Sequence, residues 1–94
     1  MPGTPLTDAE LDALLAAHPE WTRNGEGLER TFEFGSFVVA FSFMSSVALI
    51  SENLYHHPEW SNVYGTVRIR ITDHDAGAIS TNDQAWIEQV DALP

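Results

Sequence analysis

Apolar residues recur along this chain with two alternating periods, and the period changes at recognisable punctuation. Thr7-Asp8-Ala9-Glu10 reads as a capping box, with Thr7 capping the amide three residues on and Glu10 reaching back. Leu11, Leu14 and Leu15 follow at helical spacing, and Pro19 stops the helix after His18. Trp21-Thr22-Arg23 and residues 28–34 then flank Asn24-Gly25-Glu26-Gly27, a hairpin signal. Here the period is two: Leu28, Arg30, Phe32 and Phe34 share one face, and Glu29, Thr31 and Glu33 the other. Ser36 can cap a long helix running to about Tyr55 and ended by Pro58. That helix is apolar over most of its circumference, which predicts that it is central or shared with another subunit.

A second hairpin turns at Gly65, with Val63-Tyr64 on one side and residues 67–72 on the other. Val67, Ile69 and Ile71 alternate with Arg68, Arg70 and Thr72, the pattern of a half-buried antiparallel strand. Ser80-Thr81-Asn82-Asp83 opens a last helix, with Trp86, Ile87 and Val90 on one stripe. The order α-β-β-α-β-β-α predicts an α+β domain with helices packed on an antiparallel sheet.

Composition narrows the possibilities. The 94 residues make a single domain over 1–94, with residues 1–5 expected to be disordered, and 44% of them are apolar, as in a globular chain. With no cysteine, disulfide scaffolds, thiolate chemistry and Cys-based zinc sites are excluded. The longest apolar run, residues 37–50, is broken by Ser42, Ser45 and Ser46, so no membrane span is expected. Nothing at Met1-Pro2-Gly3-Thr4 resembles an export signal, which makes the cytoplasm the expected location. The formal net charge is −10, and the four cations are Arg23, Arg30, Arg68 and Arg70. Such a chain repels phosphate backbones and anionic lipid, so neither nucleic acid nor membrane is an expected partner.

One tetrapeptide occurs twice: His18-Pro19-Glu20-Trp21 and His57-Pro58-Glu59-Trp60, each at a helix end entering a hairpin. As structure, both are stop-and-turn punctuation. As chemistry they differ, because the first copy has Ala17 where the second has His56, and Gly35 where the second has His74. A site therefore belongs to the second half, where His56, His57 and His74 lie among Glu52, Asp73, Asp75 and Asp83. Glu52 and His56 are four apart and can touch on one helix face. His57 falls at a helix C-terminus, which favours an imidazolium. His74 ends the strand on the face of Arg68, Arg70 and Thr72. Adjacent histidines rarely direct both rings at one ion, and neither H-x-H nor H-E-x-x-H spacing occurs, so no metal is expected. No serine sits in a nucleophile-elbow context. General acid–base chemistry by imidazoles is what these residues suit.

Glu52-Asn53-Leu54-Tyr55-His56-His57-Pro58-Glu59-Trp60-Ser61-Asn62-Val63-Tyr64, followed by His74 and Asp83, resembles the signature of the pterin-4a-carbinolamine dehydratases. The likeness extends upstream through Phe34, Phe37 and Ala40-Phe41-Ser42-Phe43-Met44, and downstream through Trp86-Ile87-Glu88-Gln89-Val90. It implies a four-stranded antiparallel sheet with three helices on one face, and a homodimer or homotetramer joined through strand edges and the long second helix. It implies loss of water from a 4a-hydroxytetrahydropterin, with the pterin as substrate and no cofactor. By the same resemblance the catalytic residues are His56, His57 and His74: His56 and His74 form the acid–base pair, and His57 binds and orients the pterin and can take part in the chemistry. Tyr55, His56, His57, Pro58, Trp60, Thr72, Asp73, His74 and Asp75 line the pocket. Glu52 orients His56, and Asp83 holds the site from the helix start. Some members of that family also serve as dimerisation partners of a homeodomain transcription factor through the long helix. Tyr55 and the loop 76–80 depart from the family's usual residues.

Overall fold

In a computed structural model, which describes residues 2–94, the elements run α1 (Asp8–Ala17), β1 (Thr22–Asn24), β2 (Gly27–Glu33), α2 (Phe37–Leu54), β3 (Glu59–Val63), β4 (Thr66–Thr72) and α3 (Thr81–Asp91). The expected order α-β-β-α-β-β-α holds. The strands form one antiparallel sheet in the order β1-β2-β4-β3, and the three helices cover one of its faces. The long register of β2 against β4, from Gly27↔Thr72 to Glu33↔Thr66, puts at the centre the two strands that carry buried residues. The short polar β1 is left on one edge, with Thr22, Arg23 and Asn24 all exposed.

Alternation decides which face is which. Leu28, Val67, Ile69 and Ile71 point toward the helices and are buried with Leu11, Leu14, Val47, Trp86, Ile87 and Val90. Burying one such aliphatic side chain is worth about 1.5–3 kcal/mol relative to leaving it in water. The intervening residues of β2, β3 and β4 face outward as an open polar surface. There Arg70 lies between Glu29 (3.5 Å) and Glu59 (3.3 Å).

The helix starts are those the sequence marks. Thr7 and Glu10 complete the first capping box, and hydrogen bonding to Thr7 lowers the Glu10 pKa. Ser36 caps α2, and Ser80 with Asp83 makes a second capping box on α3. The end of α2 falls where expected, at Leu54 with Tyr55 as its cap, but what closes it is the left-handed conformation of Tyr55 (φ 52°) and not Pro58. The amides of Tyr55 and His56 then turn back onto the Glu52 and Ser51 carbonyls, closing the helix before the proline is reached.

The segment before Thr7 also differs from the expectation of disorder at 1–5; Met1 lies outside the described residues. Residues 3–6 are pinned along the start of α3. Gly3 N–H donates to Asp73 Oδ2 (2.8 Å) and Thr4 N–H to Thr81 Oγ1 (3.1 Å). Thr81 N–H donates to the Thr4 carbonyl and Leu6 N–H to the Ile79 carbonyl, both at 2.9 Å. Gly3 makes this possible: a Cβ there would lie 2.5 Å from Ser80 Oγ and 3.0 Å from the Asn82 amide nitrogen.

On α2, Ala40, Val47 and Ser51 are buried, while Phe37, Val38, Val39, Phe41 and Leu49 remain exposed. The whole 18-residue helix has a mean hydropathy of 1.6, long and apolar enough by composition to cross a membrane.

Candidate active site

His56 and His57 leave the end of α2 in different directions. The left-handed Tyr55 breaks the helical spacing, so the expected Glu52–His56 contact does not form. His56 turns inward, 9% exposed, with Nε2 2.6 Å from Oδ1 of the fully buried Asp83. His57 stays outside, and its Nε2 lies 2.7 Å from Glu52 Oε1. Glu52 thus partners His57, and Asp83 partners His56. The correction follows from the backbone: i,i+4 neighbours share a face only while the helix continues.

Asp83 is itself held. Its Oδ2 accepts from the Ser80 amide at 2.8 Å, so both oxygens are engaged at the start of α3. Directly beneath, the indole N–H of Trp86 donates to Ser51 Oγ (2.9 Å), and that hydroxyl donates to the Val47 carbonyl (2.8 Å). These bonds cross from α3 to α2 and fix the helix end from which the two histidines emerge.

His74 follows β4 and is largely exposed; its Nε2 lies 3.5 Å from Glu59 Oε2, two residues after His57 in the chain. Glu59 also meets Arg70, so His74 shares the open face of the sheet with Arg70, as the strand alternation predicts. Exposed polar contacts of this kind contribute about 0–1 kcal/mol each. They orient side chains more than they stabilise the fold.

The remaining expected site residues divide. Tyr55 and Asp75 are exposed at the rim, and Pro58 and Trp60 are half-buried, Trp60 against the core. Thr72 and Asp73 point elsewhere. Thr72 Oγ1 donates to the Glu26 carbonyl (2.6 Å) across the sheet. Asp73 is 4% exposed, and its oxygens accept from Gly3 N, Ala76 N, Ser80 Oγ and Asn82 Nδ2. Burial by itself raises the Asp73 pKa, but these hydrogen bonds outweigh it and bring the value down to about 2. Asp73 is therefore a structural carboxylate. The resemblance counts Asp73 among the pocket residues; here the bend at 73–78 turns its carboxylate inward onto these donors. Ser51 and Ser80 were missed in the sequence; one reads as an ordinary helix residue and the other only as a cap.

A concavity of about 350 Å³ lies on the open sheet face, lined by Glu29, Thr31, Glu59, Trp60, Ser61, Arg68 and Arg70. It does not contain the histidines and reaches them only through Glu59. Among the described residues, no group of three His, Asp or Glu side chains is arranged to hold a metal ion.

Fold and site together define a small α+β domain with two histidines following the end of α2 and a third following β4. Comparison with known proteins gives that class a family. The family model for pterin 4 alpha carbinolamine dehydratase matches residues 4–93. A protein of Novosphingobium aromaticivorans is 52% identical over 80 residues, covering 83% of each chain. One from Prochlorococcus marinus (strain NATL2A) is 43% identical over 84 residues, covering 89% of this chain and 88% of its own. Both are provisionally named pterin-4-alpha-carbinolamine dehydratases. The crystal structure of a transcriptional coactivator/pterin dehydratase from Brucella melitensis superposes with a TM-score of 0.89 at 33% identity, covering 95% of this chain and 97% of that one. The chain belongs to the pterin-4a-carbinolamine dehydratase family, and with it to the carbon–oxygen lyases.

Proposed function

We propose that the protein removes water from a 4a-hydroxytetrahydropterin by acid–base catalysis from its histidines, yielding the quinonoid dihydropterin. The elimination needs a proton delivered to the 4a-hydroxyl as the C4a–O bond breaks, and the N5 proton accepted by a base. Atoms balance with water as the only other product, and no redox partner, metal or cofactor enters. The observation that carries this reading is the division of labour among three histidines. His57 and His74 are exposed, each beside a glutamate, Glu52 and Glu59. His56 is buried on Asp83.

On this reading the proton transfers fall to His57 and His74, and His56 is the ring fixed between helix end and substrate. It differs from the pairing of His56 with His74 that the resemblance implies. What favours His57 and His74 is their exposure, His56 being 9% exposed; its bond to Asp83 fixes the ring and leaves the other nitrogen for proton exchange. Positioned acid–base groups contribute about 10²–10⁴-fold each. Tyr55, Pro58, Trp60 and Asp75 would form the rim. The test is the dehydration rate with His57, His74 and His56 replaced singly by alanine in folded protein. The expected losses are large for the first two; an undiminished rate in both would overturn the assignment.

The exposed apolar side of α2 favours a second element of the reading, self-association into a homodimer or homotetramer. Val38 and Leu49 are each 73% exposed, and a contiguous apolar surface of that kind marks an interaction site. A cytoplasmic location suits such an assembly. A mass measurement in solution tests it. A monomer that captures a different protein through this face would favour the dimerisation-cofactor role instead.

A further inference from the structure

His74 must be placed accurately if it moves protons, yet its own side chain has almost nothing to hold it. Its side chain is 79% exposed and meets Glu59 at 3.5 Å. Its position is therefore set by the backbone on either side, and that backbone is organised by Asp73. Asp73 Oδ1 accepts from the Ala76 amide (3.1 Å), and the Asp73 carbonyl accepts from Gly77 N–H (2.9 Å), folding the turn that carries His74. Asp73 Oδ2 accepts from Ser80 Oγ (2.7 Å) and from Gly3 N–H (2.8 Å), a bond spanning 70 residues of sequence. From Ser80 the network continues through its amide to Asp83 Oδ2 (2.8 Å), and from Asp83 Oδ1 to His56 (2.6 Å). One chain of hydrogen bonds thus joins the segment at 3–6, the His74 turn and the end of α2.

We propose that Asp73 is a positioning residue which, with the segment 3–6 packed over it, fixes the His74 turn relative to His56 and His57. The inference rests on the dehydratase reading for its catalytic consequence, though not for its geometry. A buried carboxylate with four donors holds one arrangement because each donor would otherwise lose its partner in the interior. A displacement of about 1 Å at a proton-transferring group costs on the order of 10²-fold in rate. The segment 3–6 lies far in sequence from all three histidines, and Gly3 touches the network through its backbone alone.

Two substitutions test this in the full chain. Asp73→Asn keeps the size but puts an NH₂ among donors, and Gly3→Ala drives the segment off Ser80 through a Cβ contact while leaving every histidine and carboxylate in place. In variants shown by urea titration to be fully folded, kcat for a 4a-hydroxytetrahydropterin should fall about tenfold or more for Asp73→Asn and less for Gly3→Ala. KM should stay within about twofold, and the double variant should be no worse than Asp73→Asn alone. The imidazole NMR signals of His74 should shift or broaden in both variants while those of His18, on the far side, stay in place. A general loss of stability would not produce that selectivity. If Asp73→Asn does not fold, Gly3→Ala alone decides. Unchanged kcat and unchanged His74 signals would overturn the proposal, as would equal changes at His18 and His74. If the unaltered chain fails to accelerate dehydration, the dehydratase reading falls, and the NMR comparison still decides the positioning.

Discussion

The two His-Pro-Glu-Trp segments show how one tetrapeptide serves two ends. At each, a histidine lies against an aspartate of α3, at opposite ends of that helix, but only the first is the motif's own. In the first, His18 Nδ1 lies 2.7 Å from Asp91, which also accepts from the Trp21 indole (3.0 Å) and the Arg30 guanidinium (3.1 Å). Every partner is engaged and Trp21 is 2% exposed, so the cluster is a clamp binding α1, β2 and α3. In the second, the aspartate is taken by the preceding residue, His56, and the motif histidine, His57, is left outside with Glu52. Trp60 is only half-buried. An added histidine and a left-handed Tyr55 turn a closed clamp into an open site.

Breaking the open copy should cost activity, and breaking the closed copy should cost stability. The largest expected effect is His74→Ala, with kcat falling about 10²–10⁴-fold and the urea midpoint almost unchanged; steady-state dehydration kinetics and a denaturation curve check both halves. Next is Asp91→Ala, which leaves the Trp21, His18 and Arg30 donors without their acceptor. A loss of about 2–4 kcal/mol is expected, which lowers Tm by roughly 4–8 °C per kcal/mol in a domain of this size. The activity of the fraction still folded should be kept.

A third effect separates the site's scaffold from its chemistry through pH. The Asp73 pKa is lowered from 3.8 to about 2 in the fold, first against burial and then by its hydrogen bonds. Its contribution is therefore fully present above pH 3.8 and lost as pH falls toward 2, and it amounts to about 2 kcal/mol. Urea titrations at pH 5 and pH 2.5 should show this component in the unaltered protein and not in Asp73→Asn. The smallest effect concerns the turn between the histidines and their helix. Tyr55→Gly removes a left-handed Cβ penalty of about 1 kcal/mol at an exposed position, partly offset by chain entropy. The fold should be stabilised slightly, and the pterin KM should show whether Tyr55 touches substrate.

Much of this architecture was legible in residue order, because the caps, the strand alternation and the turn glycines are local signals. Thr7 with Glu10, Ser36, Gly65 and the alternation of residues 67–72 each led to the element observed. What failed did so where one residue's backbone overrode a pattern. The Glu52–His56 pairing assumed a helix that continues, and a single left-handed tyrosine exchanged the partners of two adjacent histidines. Asp73's inward hydrogen bonds were not legible, because strand spacing carries no information about the bend that follows. Residues 1–5 looked free because the partners of Gly3 and Thr4 lie about seventy residues away and are met through their backbone amides.

The most direct measurement is the dehydration rate of a 4a-hydroxytetrahydropterin by three proteins side by side: the unaltered chain, His57→Ala and His18→Ala. The account expects the unaltered chain and folded His18→Ala to accelerate the reaction alike, and His57→Ala to lose about 10²-fold or more. Equal losses in the two variants, or full activity in His57→Ala, would contradict the distinction between an open site and a closed clamp.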